Sequence, residues 1–181
     1  MAGIWRQAGI TVIDADQIVH LLLSQTGPTQ TLVLSKFGHD LLLPDGSLDR
    51  SLLGQRVFAD TQKLQQLEAI LHPLVQQDVQ KQKQTARNLG QSLAVYDVPL
   101  LFEKNLQSQF DAIVVVSCSR EQQIQRLQVR NSWSLEQAQQ RLAHQLPIAK
   151  KVEAATHVID NSGSLEQLTK KTLAVLQILK K

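Results

Sequence analysis

Apolar and polar positions along the chain follow two rhythms, one of strand length and one of helical period, and their succession sets out the elements. Ile10-Thr11-Val12-Ile13 is a β-favouring run that ends on two carboxylates in Asp14-Ala15-Asp16, and helix-patterned sequence follows at once. This predicts a buried strand, a loop and a helix over 17–24. Ahead of it, Trp5-Arg6-Gln7-Ala8 and Gly9 read as the last turn of a helix with a glycine cap, a helix whose beginning is expected to be missing. Gly27-Pro28 is a break, a helix over 29–37 ends at Gly38, and Asp45-Gly46 marks a turn after Leu41-Leu42-Leu43. Asp49 then opens a helix through Phe58. Leu64, Leu67, Ile70 and Leu71 share one helical face, which His72-Pro73 interrupts before Leu74, Val75 and Val79 resume it. That pattern predicts two amphipathic helices joined at His72-Pro73.

Further strands are expected at 92–98, 111–117 and 156–159. The run Ile113-Val114-Val115-Val116 is continuously apolar, which suits a strand covered on both faces. Three helices share one start signal, in Ser119-Arg120-Glu121-Gln122, Ser134-Leu135-Glu136-Gln137 and Ser164-Leu165-Glu166-Gln167. Each is a capping box, in which Ser accepts from an amide three residues on and Gln reaches back. Strands alternating with helices predict an α/β fold, a parallel sheet with helices on both faces.

A length of 181 residues suits one such domain with a helical insertion, and an aromatic share of 4% leaves the core to Leu, Val, Ile and Ala. A net charge of +3 and a pI near 9.1 favour anionic ligands without demanding nucleic acid, and no Lys/Arg block is dense enough to be a nucleic-acid arm. The single Cys118 rules out an intrachain disulfide. No apolar run reaches membrane-spanning length and no signal-peptide core opens the chain, so a cytoplasmic protein without membrane partners is expected.

Candidate chemistry begins with Asp14 and Asp16. In an open parallel sheet, ligands sit beyond the carboxyl ends of strands, where both would stand. A carboxylate there can take a proton from a hydroxyl or approach a metal-bound phosphate. It can equally cap the following helix, a task that needs only one of the two. Asp97 ends the next strand, as a metal-supporting acid or as a turn former. Arg126, Arg130, Arg141, Lys150 and Lys151 surround two helices joined near Asn131, a basic pair that closes over phosphates or a solvated charged face. His72 is a ligand or a helix-end residue satisfied by backbone, and Cys118 reads as packing.

The order VIDAD, then FG, DG, DR and HP, then PLLFE, then VVVSCSREQQIQRLQVRN, then RLAHQ and finally VIDNSGSLEQL resembles dephospho-CoA kinase over essentially the whole chain. The resemblance implies a P-loop nucleoside-kinase-like fold with core residues at about 1–25 and 92–181, an acceptor-side helical insertion at about 26–91 and a lid at about 126–150. It implies ATP and Mg2+ as cofactors and dephospho-CoA as acceptor, phosphorylated on its ribose 3′-hydroxyl to give coenzyme A. Carried over by position, Asp16 is the candidate base with Asp14 beside it. Arg50, His72 and the loop Pro99, Leu100, Leu101, Phe102, Glu103 face the acceptor. Arg130 and Arg141 fall in the lid and Asn161 near the adenine; Asp97 remains a candidate metal support from its place at a strand end alone.

The sequence departs from that pattern in one large way. The family begins with a strand and a phosphate loop of the form G-x-x-x-x-G-K-[ST], and no glycine pair in these residues has that spacing before a lysine. The first strand and the P-loop are therefore expected to be absent, the chain N-terminally shortened, and transfer impaired. The alternative is a non-catalytic protein derived from the kinase that binds a CoA-type ligand or serves in interaction. A smaller departure is Thr156, where the family often has Asp.

Overall fold

Local signals explain most of the element boundaries in the computed structural model, which describes residues 1–180. Helix α1 (Ala2–Gln7) ends as the glycine predicts: Gly9 has φ +80°, its amide donates to Arg6 O at 3.0 Å, and the Ile10 amide donates to Trp5 O at 3.0 Å. This paired closure needs a left-handed residue, which glycine adopts without strain. The chain then enters β1 (Thr11–Asp14) and α2 (Ala15–Ser24). Helices α3 (Pro28–Phe37) and α4 (Arg50–Phe58) follow, the second capped by Asp49, whose carboxylate accepts from the Leu52 amide at 2.9 Å.

The expected break at His72-Pro73 does not occur. Helix α5 runs unbroken over Thr61–Asn88 with Pro73 inside it. Pro73 lacks an N–H and costs the helix a hydrogen bond, yet Leu67, Leu71, Val75, Val79 and Ala86 form one buried stripe across it. Five apolar side chains at about 1.5–3 kcal/mol each, Ala86 less, outweigh one interior proline at about 3 kcal/mol. The stripe packs on α2, α3 and α4. His72 is thus an exposed mid-helix residue and not a helix end.

The remaining elements are β2 (Ala94–Asp97), β3 (Val114–Ser117), α6 (Arg120–Asn131), α7 (Leu135–Ala143), α8 (Ile148–Glu153), β4 (His157–Asp160) and α9 (Leu165–Leu179). The strands are each four residues long: β2 and β3 are shorter than the expected 92–98 and 111–117, whereas β1 and β4 keep the expected length shifted by one residue. All three serine capping boxes form, with both the Ser and the Gln bonds present. The protein has an α/β fold of parallel strands and helices. Its strands pair in twos, β1 with β2 and β3 with β4, the latter parallel with Val115 opposite Val158 and Val116 opposite Ile159. Strand β3 is half-buried along most of its length instead of covered on both faces.

Two compact units result. One comprises Ile13–Asp97. Its core joins Leu23, Val33, Leu34, Phe37, Leu41, Leu53, Val57, Leu67 and Leu71, with a second cluster of Ile13, Ile18, Val75 and Val79. The other comprises Met1–Val12 and Val98–Lys181, in which α1 lies on α9. There Trp5, 1% exposed, donates from Nε1 to Thr172 O at 3.1 Å. At the foot of β3 and β4, Thr156 Oγ1 accepts from the Ile113 amide at 3.0 Å while Ile113 O accepts from the amides of Thr156 and His157. The hydroxyl fills the acceptor position there without bringing a charge.

Candidate functional site

Within the Ile13–Asp97 unit, the two carboxylates of the Asp-Ala-Asp sequence part company. Asp14, half-buried at the end of β1, is the N-cap of α2 and accepts from the Gln17 amide at 2.9 Å. One of the first-turn amides that the helix leaves open is so satisfied. Asp16 is exposed in the first turn and makes no hydrogen bond or ion pair among the described residues. A carboxylate in that state keeps both oxygens available to accept a proton.

One turn further along α2, His20 stands on the same face as Asp16, since positions four apart are neighbours. Its Nδ1 meets the guanidinium of Arg50, the first residue of α4. Arg50 can only donate, so the His20 ring accepts through an unprotonated Nδ1. Arg50 thereby meets Asp16's row of α2 one helical turn further along. Sequence reasoning passed over His20; its i+4 spacing from Asp16 was the available signal.

Arg56 forms a fork onto Asp40, at 2.5 Å from Nη2 to Oδ2 and 3.1 Å from Nη1 to Oδ1, and also donates to Phe37 O. That fork holds the Asp40 carboxyl below the usual range. Gly38 sits inside it at φ +114°, where a Cβ would run into the Asp40 carboxylate and the Arg56 guanidinium, so the FG pair of the sequence is a packing requirement. His72 and Asp97 belong to this same unit, Asp97 half-buried at the end of β2. No three His, Cys, Asp or Glu side chains among the described residues come together to cage a metal. Mg2+ carried on phosphates needs only one or two protein carboxylates, and the donor set suits that mode.

Pro99, Leu100, Glu103, Arg130, Arg141 and Asn161 all fall in the other unit. The loop from Pro99 closes on itself, with the Leu106 amide donating to Leu101 O and Asn105 left-handed at φ +53°. Pro99 and Leu100 are on its exposed side. Glu103 turns inward: its Oε1 accepts from Lys151 Nζ at 2.7 Å and from the Leu146 amide at 2.8 Å. Burial works against its charge, but those two donors prevail and its carboxyl lies below the ordinary glutamate range. Asn161 follows β4; its carbonyl accepts from Arg126 Nη2 at 2.8 Å and its amide donates to Ser117 O at 2.7 Å, leaving the side-chain amide unpartnered among the described residues. Of the five basic residues around α6 to α8, Arg126 and Lys151 are therefore internal ties, and Lys150 pairs with Glu153 at 3.0 Å. Arg130 reaches only the neighbouring Asn131, and Arg141 is exposed with no partner among the described residues.

Residues 1–167 match the family described as dephospho-CoA kinase. The chain belongs to the dephospho-CoA kinase family. It is 38% identical over 174 residues to the dephospho-CoA kinase of Bdellovibrio bacteriovorus, an alignment covering 96% of this chain and 86% of that protein. The dephospho-CoA kinase of Carboxydothermus hydrogenoformans is 38% identical over 177 residues, 98% of this chain and 86% of its own. Among solved structures, a Thermus thermophilus protein superposes with a TM-score of 0.82 at 29% identity, over 99% of this chain and 90% of that one. The dephospho-CoA kinase from Campylobacter jejuni does so with a TM-score of 0.71 at 26% identity, over 98% and 89%. The dephospho-CoA kinase resemblance drawn from the sequence is thus borne out as family membership. No helix among the described residues is long and apolar enough to cross a membrane.

Proposed function

We propose that the protein phosphorylates the ribose 3′-hydroxyl of dephospho-CoA with ATP to give coenzyme A and ADP, with Asp16 as the general base. Family membership supports the reaction. The observation that carries the residue assignment is the division of labour between Asp14, whose carboxylate caps α2, and Asp16, whose carboxylate is uncommitted. Asp16 takes the hydroxyl proton as the ribose oxygen attacks the γ-phosphorus and the bond to the ADP oxygen breaks. Within the Ile13–Asp97 unit, Arg50, held by His20, and His72 are the residues assigned to the acceptor; within the other unit it is the Pro99, Leu100 and Glu103 loop. Arg130 and Arg141 supply positive charge over the nucleotide, and Asn161 offers its free amide to the adenine. Asp97 would be the protein's support for a Mg2+ ion carried on the triphosphate, and that ion would supply charge neutralisation there.

The experiment compares Asp16→Asn with Asp14→Ala, following coenzyme A formation and thermal melting together. Asp16→Asn should cut the rate by about 10²–10⁴ with the melt unchanged. Asp14→Ala should cost about 1 kcal/mol of stability through the lost cap. An Asp16→Asn protein within a few-fold of its parent's rate would remove Asp16 from the mechanism. Dephospho-CoA binding without any transfer in the parent protein would favour the non-catalytic ligand-binding alternative.

A further inference from the structure

Glu103 and Lys151 pair where neither is cheap to keep. Their side chains are 18% and 11% exposed, and Glu103 Oε2 is buried without a hydrogen-bond partner among the described residues. Withdrawing two charges from water is often no more stabilising than packing two apolar side chains of the same size, and an unmet carboxylate oxygen adds to the cost. Stability alone is a poor reason for the arrangement, whereas fixed geometry is a good one. The pair joins three pieces of the same unit: the loop after Pro99, the linker at Leu146 that follows α7, and α8, which itself packs on β3. The loop's own bonds, such as Lys104 N to Leu100 O at 3.0 Å, shape it locally. Only a contact reaching across more than forty residues, as Glu103 makes with Leu146, fixes where that shape is held.

We infer that Glu103 and Lys151 are a positioning pair that presets the Pro99 to Glu103 loop for the acceptor by fastening it to the linker between α7 and α8. The inference rests on the dephospho-CoA kinase reading and moves Glu103 from direct acceptor contact to positioning of the loop. Pro99 and Leu100, on the exposed side, are left to meet the ligand. With the fastening cut, the loop must be ordered when the acceptor binds, and that cost returns as lost affinity.

The test uses the full chain and its variants Lys151→Met, Glu103→Gln and Lys151→Arg. Dephospho-CoA affinity is measured by calorimetry, the Leu146 amide by hydrogen exchange, and folding by thermal melting. Lys151→Met and Glu103→Gln should each weaken dephospho-CoA binding about tenfold and speed exchange at Leu146. Lys151→Arg, which keeps charge and donor, should restore both to near the parent. Variants that speed exchange at Leu146 yet bind dephospho-CoA within about twofold of the parent would show a merely structural tie and overturn the inference. If Lys151→Met does not fold, Glu103→Gln against Lys151→Arg decides by the same two readouts. A parent chain that binds no dephospho-CoA overturns the functional reading and this inference with it, whereas a binding parent with indifferent variants overturns the inference alone.

Discussion

Asp160 shows how a single residue's neighbours set its protonation. Lys171 Nζ lies 2.6 Å from Asp160 Oδ2, and the hydroxyl and amide of Ser162 both donate to Oδ1. The ammonium first and the serine donors next pull the carboxyl from its ordinary value of 3.8 down to about 2. A carboxyl depressed on folding contributes stability that is fully present above its unfolded value and is lost as pH falls through its folded one. The window here runs from roughly pH 4 down to about 2. Asp160→Asn should therefore melt below the parent at neutral pH, with the difference closing as pH falls through that window. Melting curves at successive pH values check this, and a gap that stayed constant to the acid end would contradict it. The pair is exposed, so salt should narrow the gap as well.

Helix α5 is the element on which local preference and packing disagree. Pro73 is exposed, so its ring adds little to the core while its missing N–H and bulk strain the helix. Pro73→Ala should stabilise the protein by about 2 kcal/mol, the helix gain of about 3 being reduced by the freedom alanine restores to the unfolded chain. Urea denaturation measures it through a rise in midpoint at constant slope. A fall in the midpoint would mean that the ring packs where the burial pattern leaves it open. The same substitution tests whether the helix's course at Pro73 aims His72, since dephospho-CoA affinity should drop while stability rises if it does.

Across the whole molecule, most buried hydrophobic side chains belong to the Ile13–Asp97 unit, while α6 and α8 bury none and α7 only Ala138. The basic helices are thus held in good part by polar ties such as Lys151 to Glu103 and Arg126 to Asn161. The triphosphate is a different matter from the acceptor. These 181 residues contain no glycine-rich loop ending in Lys-Ser or Lys-Thr, and so no such loop to cradle phosphates with backbone amides. By themselves they are expected to bind dephospho-CoA measurably and ATP weakly, in separate calorimetric titrations. Micromolar ATP affinity for this chain would show that Arg130, Arg141 and their neighbours supply far more of the phosphate site than their exposed, loosely tied positions suggest.

What the sequence determined by itself was everything set within a few residues. The Gly9 cap, the Asp49 cap, the Asp45-Gly46 turn and the three serine boxes were legible because donor and acceptor lie no more than about five positions apart. The order of its motifs likewise carried the family, and with it the α/β fold. Which of Asp14 and Asp16 caps followed from where β1 gives way to α2, a boundary the sequence left open because both stood at the same helix start. Tertiary structure alone decided that α5 runs through Pro73, since a buried stripe can outweigh a local defect only once partners α2, α3 and α4 are in place. It also brought His20 to Arg50 and Glu103 to Lys151, pairs thirty and more residues apart. Side-chain chemistry names possible partners at any distance, but only the folded chain brings the charge and its counterpart within reach of a bond.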